Sequence, residues 1–139
     1  IYFIENSAEY TAKDYNWSLE VAVNMYNTFG PMMDKYDLFI CPTLGTNRIP
    51  AEFTWPATGV EINGKIVDMA EEYWSLTYPF NILSRCPVMS VPTGVADNNV
   101  PTAIQMIART YDDKRVFEAA KAYEAAAPEN FSWNLDSRI

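Results

Sequence analysis

The sequence contains no histidine. That removes the Ser-His-Asp and Cys-His nucleophile schemes from this chain, and with them the usual general base near neutral pH. The two cysteines, Cys41 and Cys86, with no histidine beside them fall short of the ligand set of a structural zinc. Both stand in apolar, strand-like contexts, where reduced thiols pack as small hydrophobes. Only five glycines are present, and none lies in a Gly/Ser-rich stretch that could build an oxyanion site. Positive charge is scarce: 10 Lys and Arg against 18 Asp and Glu leave a net charge of −8. An acidic balance argues against a phosphate-backbone partner and favours solubility. No apolar run approaches the roughly 18 residues of a membrane helix; the longest are strand-sized, such as Leu38-Phe39-Ile40-Cys41. No secretory signal is visible. The chain opens on Ile1 rather than Met, which predicts a longer parent polypeptide.

What is present is globular. The hydrophobic share is 49% and the aromatic share 14% over 139 residues, enough for one domain spanning 1–139 with a modest core and an irregular tail over 130–139. Leu19, Ala22, Val23, Tyr26, Phe29 and Met33 recur at helical spacing and predict a core-packing helix over about 18–35, kinked or interrupted at Gly30-Pro31. Residues 37–42 are a short, mostly apolar run, expected to be a buried parallel strand that opens into a loop over 43–56. The alternation around Asn63-Gly64 predicts a hairpin over 60–67. Asp68 can cap a helix over 69–76, which Tyr78-Pro79 should disturb. The proline-bounded run 87–93 and the run 103–108, with one exposed polar position, predict two strands. The joining loop is too short for a helical crossover, so they should pair antiparallel. Asp112-Asp113 should open a last helix over 113–127, with Val116, Ala120, Tyr123 and Ala127 as its buried stripe and Pro128 as its stop.

Acid–base chemistry finds no foothold in this pattern. Glu71-Glu72 and Asp112-Asp113 are adjacent doublets, which point different ways on a helix. Lys13, Lys35, Lys65, Lys114 and Lys121 stand beside polar or turn residues, not in the apolar settings that lower a lysine pKa.

Four stretches in order carry a resemblance. They are Tyr36-Asp37-Leu38-Phe39-Ile40-Cys41-Pro42-Thr43; Pro87-Val88-Met89-Ser90-Val91-Pro92-Thr93-Gly94; Val100-Pro101-Thr102-Ala103-Ile104-Gln105-Met106-Ile107; and the helix from Ala119 to Tyr123-Glu124. Their order and spacing over about 18–127 resemble the C-terminal portion of the amidase-signature family. The resemblance implies an α/β fold, a mixed sheet flanked by helices, as the C-terminal part of a larger α/β/α enzyme. It also implies a Ser-Ser-Lys triad in a Gly/Ser-rich signature N-terminal to this segment, so no residue here inherits a catalytic role. No cofactor and no metal are implied. The implied partners are the N-terminal catalytic part of the same enzyme and a small-molecule amide substrate, without nucleic acid or membrane. The implied location is cytoplasmic, where a Cys41–Cys86 disulfide is not expected.

The resemblance also points to substrate-pocket walls at Thr43, Leu44, Trp74, Tyr78, Asn81 and Cys86. Each has an ordinary alternative: a hydroxyl cap for Thr43, core packing for Trp74 and Tyr78, and a turn residue for Asn81. As a nucleophile Cys86 has no base in this chain to form its thiolate. Departures from the family pattern stand nearby. Asn81 lies six residues before Pro87 rather than five, so either the loop is one residue longer or Asn81 leaves the family position; Asn99 and Ala103 replace common glycines. Alone, the chain should be inactive and should self-associate through a sheet edge and apolar face that the missing part would cover. Two further readings remain: a component of an amidotransferase working on aminoacyl-tRNA, and an interaction module without chemistry.

Overall fold

Thr11 opens a long helix through a reciprocal cap. Its hydroxyl accepts from the Asp14 backbone N–H at 3.3 Å, and the Asp14 carboxylate accepts from the Thr11 N–H at 2.7 Å. The Thr11 hydroxyl, donating to the Asp14 carboxylate at 2.6 Å, and then the Thr11 N–H hold the Asp14 carboxyl below its ordinary pKa. In this computed structural model, which describes residues 7–52, 60–67, 74–83 and 85–131, helix α1 runs Ala12–Met33. It therefore starts six residues before the apolar stripe predicts, because the cap and not the stripe sets the first turn. Pro31 lies inside its last turn; one lost rung so near the end does not stop the helix.

Strand β1 (Phe39–Pro42) is antiparallel to β5 (Pro101–Ile107), with Phe39 opposite Ile107 and Cys41 opposite Gln105. The parallel, buried strand expected here is thus corrected. Phe39 and Cys41 turn inward while Ile40 is 51% exposed, so the run is apolar at each position yet covered on one face. Strand β4 (Val88–Val95) pairs antiparallel with the other side of β5, as expected, with a register shift between Pro92 and Gly94. Pairing continues past this shift to Val95 and Pro101, which makes the hairpin longer than the apolar runs alone. Its turn holds Asn99 at φ 61, a left-handed conformation that asparagine tolerates. The sheet order is β1-β5-β4.

A separate hairpin, β2 (Val60–Ile62) and β3 (Lys65–Val67), turns on Asn63 at φ 52 and Gly64 at φ 76. Two successive positive φ values are the tight turn that Asn-Gly predicts. The expected helix over 69–76 falls mostly outside the described residues. Its last part is not helical, since Ser75 bridges to Leu44. Tyr78-Pro79 begins rather than breaks a helix: α2 (Tyr78–Ile82) carries its proline in the first turn, where a missing donor costs nothing. Helix α3 (Asp113–Ala126) starts at Asp112, whose carboxylate accepts from the Arg115 N–H. A short 3-10 turn, Pro128–Asn130, follows, and the irregular tail expected over 130–139 lies almost wholly outside the described residues.

The core forms where helices meet both sides of the sheet, the expected α/β arrangement. On one side Phe80, Leu83, Cys86 and Ile107 are buried together, with Met25, Phe29, Phe39 and Cys41 packed against them. Phe29, Phe39 and Phe80 make a three-ring cluster with centroids 5.7–6.0 Å apart. Helix α3 packs on β4 and β5 and buries Val116. Its other stripe residues, Ala120, Tyr123 and Ala127, are half-buried. The stripe of α1 splits: Met33 is 2% exposed, but Leu19 and Val23 are 48% and 59% exposed. The N-terminal half of α1 thus leaves Leu19 and Val23 largely open.

Both cysteines are free thiols, Cys86 buried and Cys41 half-buried. Burial pushes the Cys41 thiol up, partly opposed by the neighbouring Gln105 amide. Thiol titration is therefore expected to count two groups per chain in denaturant without reductant. Native Cys41 should alkylate more slowly than a free thiol through neutral pH, because its thiolate fraction grows only as pH rises past the ordinary thiol range. A count of zero in a monomer, or native alkylation as fast as in denaturant, would contradict this.

Candidate functional site

The end of the sheet opposite the phenylalanine cluster opens into a groove of about 430 Å³, between the loop leaving β1 and the β4–β5 hairpin. Thr43, Leu44, Asn47, Thr93, Thr102 and Ile104 are among its lining residues, and no lining residue carries a charge. Hydroxyls tie its walls. Thr93 Oγ1 and Thr102 Oγ1 are 2.9 Å apart, Thr102 Oγ1 donates to Gly94 O at 3.3 Å, and Thr43 Oγ1 donates to Ala103 O at 3.3 Å. The rim is closed by Asn98 Nδ2, which donates to Asn47 O at 3.0 Å, and by the exposed Arg48–Asp97 ion pair at 2.7 Å. An ion pair so solvated contributes little to stability.

Behind the groove lies Gln105. The single polar position of the predicted run 103–108, expected to be exposed, is 1% exposed. Its Nε2 donates to Pro42 O at 3.0 Å and to Leu76 O at 2.8 Å. No local pattern announces this: the apolar run of β1 is covered on one face only, so an apolar run around Gln105 does not tell whether its amide is covered.

Of the residues that the resemblance points to, three come together. Thr43 and Leu44 line the groove, and Trp74 stands on the segment that bridges to them. The Trp74 Nε1 is buried and has no hydrogen-bond partner among the described residues. Thr43 also fulfils its ordinary alternative, since its hydroxyl caps a strand carbonyl. Tyr78 and Asn81 stand on α2, both exposed and outside the groove lining. Cys86 is 6% exposed in the core with Phe80 and Ile107, and its Sγ lies 3.8 Å from Thr110 Oγ1. Sequence reasoning missed Gln105 and the Asn47–Asn98 closure. The latter joins residues 51 positions apart, which no local pattern announces.

This architecture has known counterparts. The family model for amidases matches residues 3–117, so the chain belongs to the amidase family. It is 31% identical over 119 residues to a glutamyl-tRNA(Gln) amidotransferase subunit of Treponema denticola, covering 85% of this chain and 22% of the relative. It is 30% identical over 107 residues to an acylamidase of Rhodococcus erythropolis, covering 76% of this chain and 21% of the relative. Among solved structures, a bacterial aryl acylamidase of the amidase-signature family superposes with a TM-score of 0.71 at 25% identity, covering 91% of this chain and 25% of that one. The corresponding glutamyl-tRNA(Gln) amidotransferase subunit from Thermotoga maritima gives a TM-score of 0.61 at 28% identity, covering 90% and 25%. The chain thus spans about a fifth to a quarter of the length of the relatives it matches. Among the described residues no helix is long and apolar enough to cross a membrane.

Proposed function

We propose that this chain is the C-terminal, nucleophile-free portion of a hydrolase that cleaves carbon–nitrogen bonds of small-molecule amides in the cytoplasm. Its part is to complete the sheet and to wall the substrate pocket with Thr43, Leu44 and Trp74. Tyr78 and Asn81 on α2 would take part only against segments supplied by the N-terminal catalytic portion. The observation that carries this reading is the uncharged groove, in a chain that superposes over 91% of its length on a quarter of an aryl acylamidase. Such a wall suits a neutral amide, which needs shape, apolar contact and a few hydroxyl or amide groups rather than a counter-charge. A component of an amidotransferase is the second reading. The higher TM-score with the acylamidase, 0.71 against 0.61, and the net charge of −8 favour the hydrolase.

The test is a chimaera in which this chain replaces the matching portion of the Rhodococcus erythropolis acylamidase. Aryl amine release from a simple anilide is the expected result. A folded, soluble chimaera with no turnover, beside an active parent enzyme, would remove the reading.

A further inference from the structure

Gln105 is the one buried polar side chain among the described residues. Its amide nitrogen bonds two carbonyls that belong to segments remote in sequence: Pro42 at the end of β1, and Leu76 in the stretch that leads into α2. One step further on, the same two segments exchange backbone bonds. Leu76 N donates to Thr43 O at 3.1 Å, and Gly45 N donates to Trp74 O at 2.7 Å. Among the described residues no other hydrogen bond joins residues 74–76 to the sheet or to the groove loop. The Gln105 Oε1 is buried without a hydrogen-bond partner among those residues, so the polar work of this side chain is done by its donor end.

We propose that Gln105 is a positioning residue for the groove: its NH2 group pins Leu76 beside Pro42, and the adjoining rungs then set where Thr43, Leu44 and Gly45 stand. The proposal rests on the reading of that groove as a substrate wall. The chemistry explains why an amide serves here. A methionine of similar volume leaves both carbonyls without a donor. An ionised glutamate adds acceptors in front of two acceptors. An asparagine is one methylene short of both partners.

Hydrogen exchange of the full chain tests this, read by mass spectrometry on peptides covering 43–48 and 74–78, with α3 as the internal reference. At neutral pH, Gln105→Met and Gln105→Glu should both speed exchange in those two segments by about tenfold, which corresponds to losing two ordinary hydrogen bonds. Exchange in α3 should stay unchanged. As pH falls, the carboxyl of the Gln105→Glu variant gains a proton and with it one donor. Protection relative to the unsubstituted chain at the same pH should then return in that variant and not in Gln105→Met. The titratable group that faces position 105 from β1 is Cys41, which burial keeps neutral over this range. Equal loss of protection in α3 would make Gln105 a mere core filler and overturn the proposal. Unchanged exchange, or no recovery of Gln105→Glu in acid, would overturn it as well. If Gln105→Met does not fold, the Gln105→Glu titration decides alone. No substrate takes part, so a groove that binds no amide leaves the clamp intact and sinks only the functional reading above it.

Discussion

Purified by itself, the chain is expected to release no amine from simple amides at any concentration, and to have a mass in solution above its own 15.8 kDa. Inactivity follows from the chemistry of amide cleavage, which needs an activated nucleophile, a proton shuttle and an oxyanion site. The chain has no histidine. Each of its lysines, Lys13, Lys35, Lys65, Lys114 and Lys121, is exposed, so none has the desolvated setting that makes a lysine a base. Cys86 is buried among Phe80, Leu83 and Ile107, away from any substrate that the groove could hold. Self-association follows from what the fold leaves open. Leu19, Val23 and Tyr26 line a groove of about 450 Å³ with Ile82 and Leu83. Strands β1 and β4 each pair on one side only among the described residues. Apolar faces and unpaired strand edges seek partners, and a second copy can supply one by symmetry. Static light scattering and an anilide turnover assay decide the matter. Saturable hydrolysis by homogeneous protein would refute the first half, and a strict monomer at high concentration the second.

The next largest effect belongs to Phe80. Its ring touches those of Phe29 and Phe39, so a single side chain joins α1, β1 and α2 on one side of the sheet. Replacing it with alanine removes the whole buried ring and leaves a void that neighbours on three separate elements cannot close together. The cost should be about 3–5 kcal/mol. Against a total stability of roughly 5–15 kcal/mol for a domain, Phe80→Ala should bring the chain to the edge of unfolding. Urea titrations at a fixed protein concentration, followed by far-ultraviolet circular dichroism, should show a large fall in midpoint with little change in slope. An exposed control, Phe117→Ala at 65% exposure on α3, should shift the midpoint hardly at all. A loss at Phe80 below about 1 kcal/mol, less than ordinary cavity costs, would mean that the cluster does not hold these elements together.

Legibility in the sequence follows the range of the interactions. The Asn63-Gly64 turn, the β4–β5 hairpin and the start of α3 at Asp112 depend on neighbours a few residues away, and all three are where the sequence predicts them. The Thr11–Asp14 cap is just as local, but the sequence reading follows the apolar stripe and passes over it. The apolar stripe misplaces the start of α1 because a stripe tells where a helix packs and not where it begins. The order of the four family-like stretches also suffices to identify the family, since that depends on residue identity and spacing alone.

Tertiary structure decided the rest. Whether β1 runs parallel or antiparallel depends on which strand lies beside it, and an apolar run of four residues fits either. Whether Leu19 and Val23 are covered depends on what stands opposite α1, although their spacing matches that of Phe29 and Met33. Tyr78-Pro79 reads as a break until the chain direction beyond it is known, and then it is a first turn. Gln105 looks like a polar residue on an open face. It is interior because α1 and α2, together with the 74–76 segment, close over that side of the sheet, and its amide is tolerated there because two carbonyls from distant segments meet its nitrogen. Local chemistry is written in the sequence; which surfaces meet is settled only when the whole chain has folded, because burial belongs to pairs of surfaces and not to single ones.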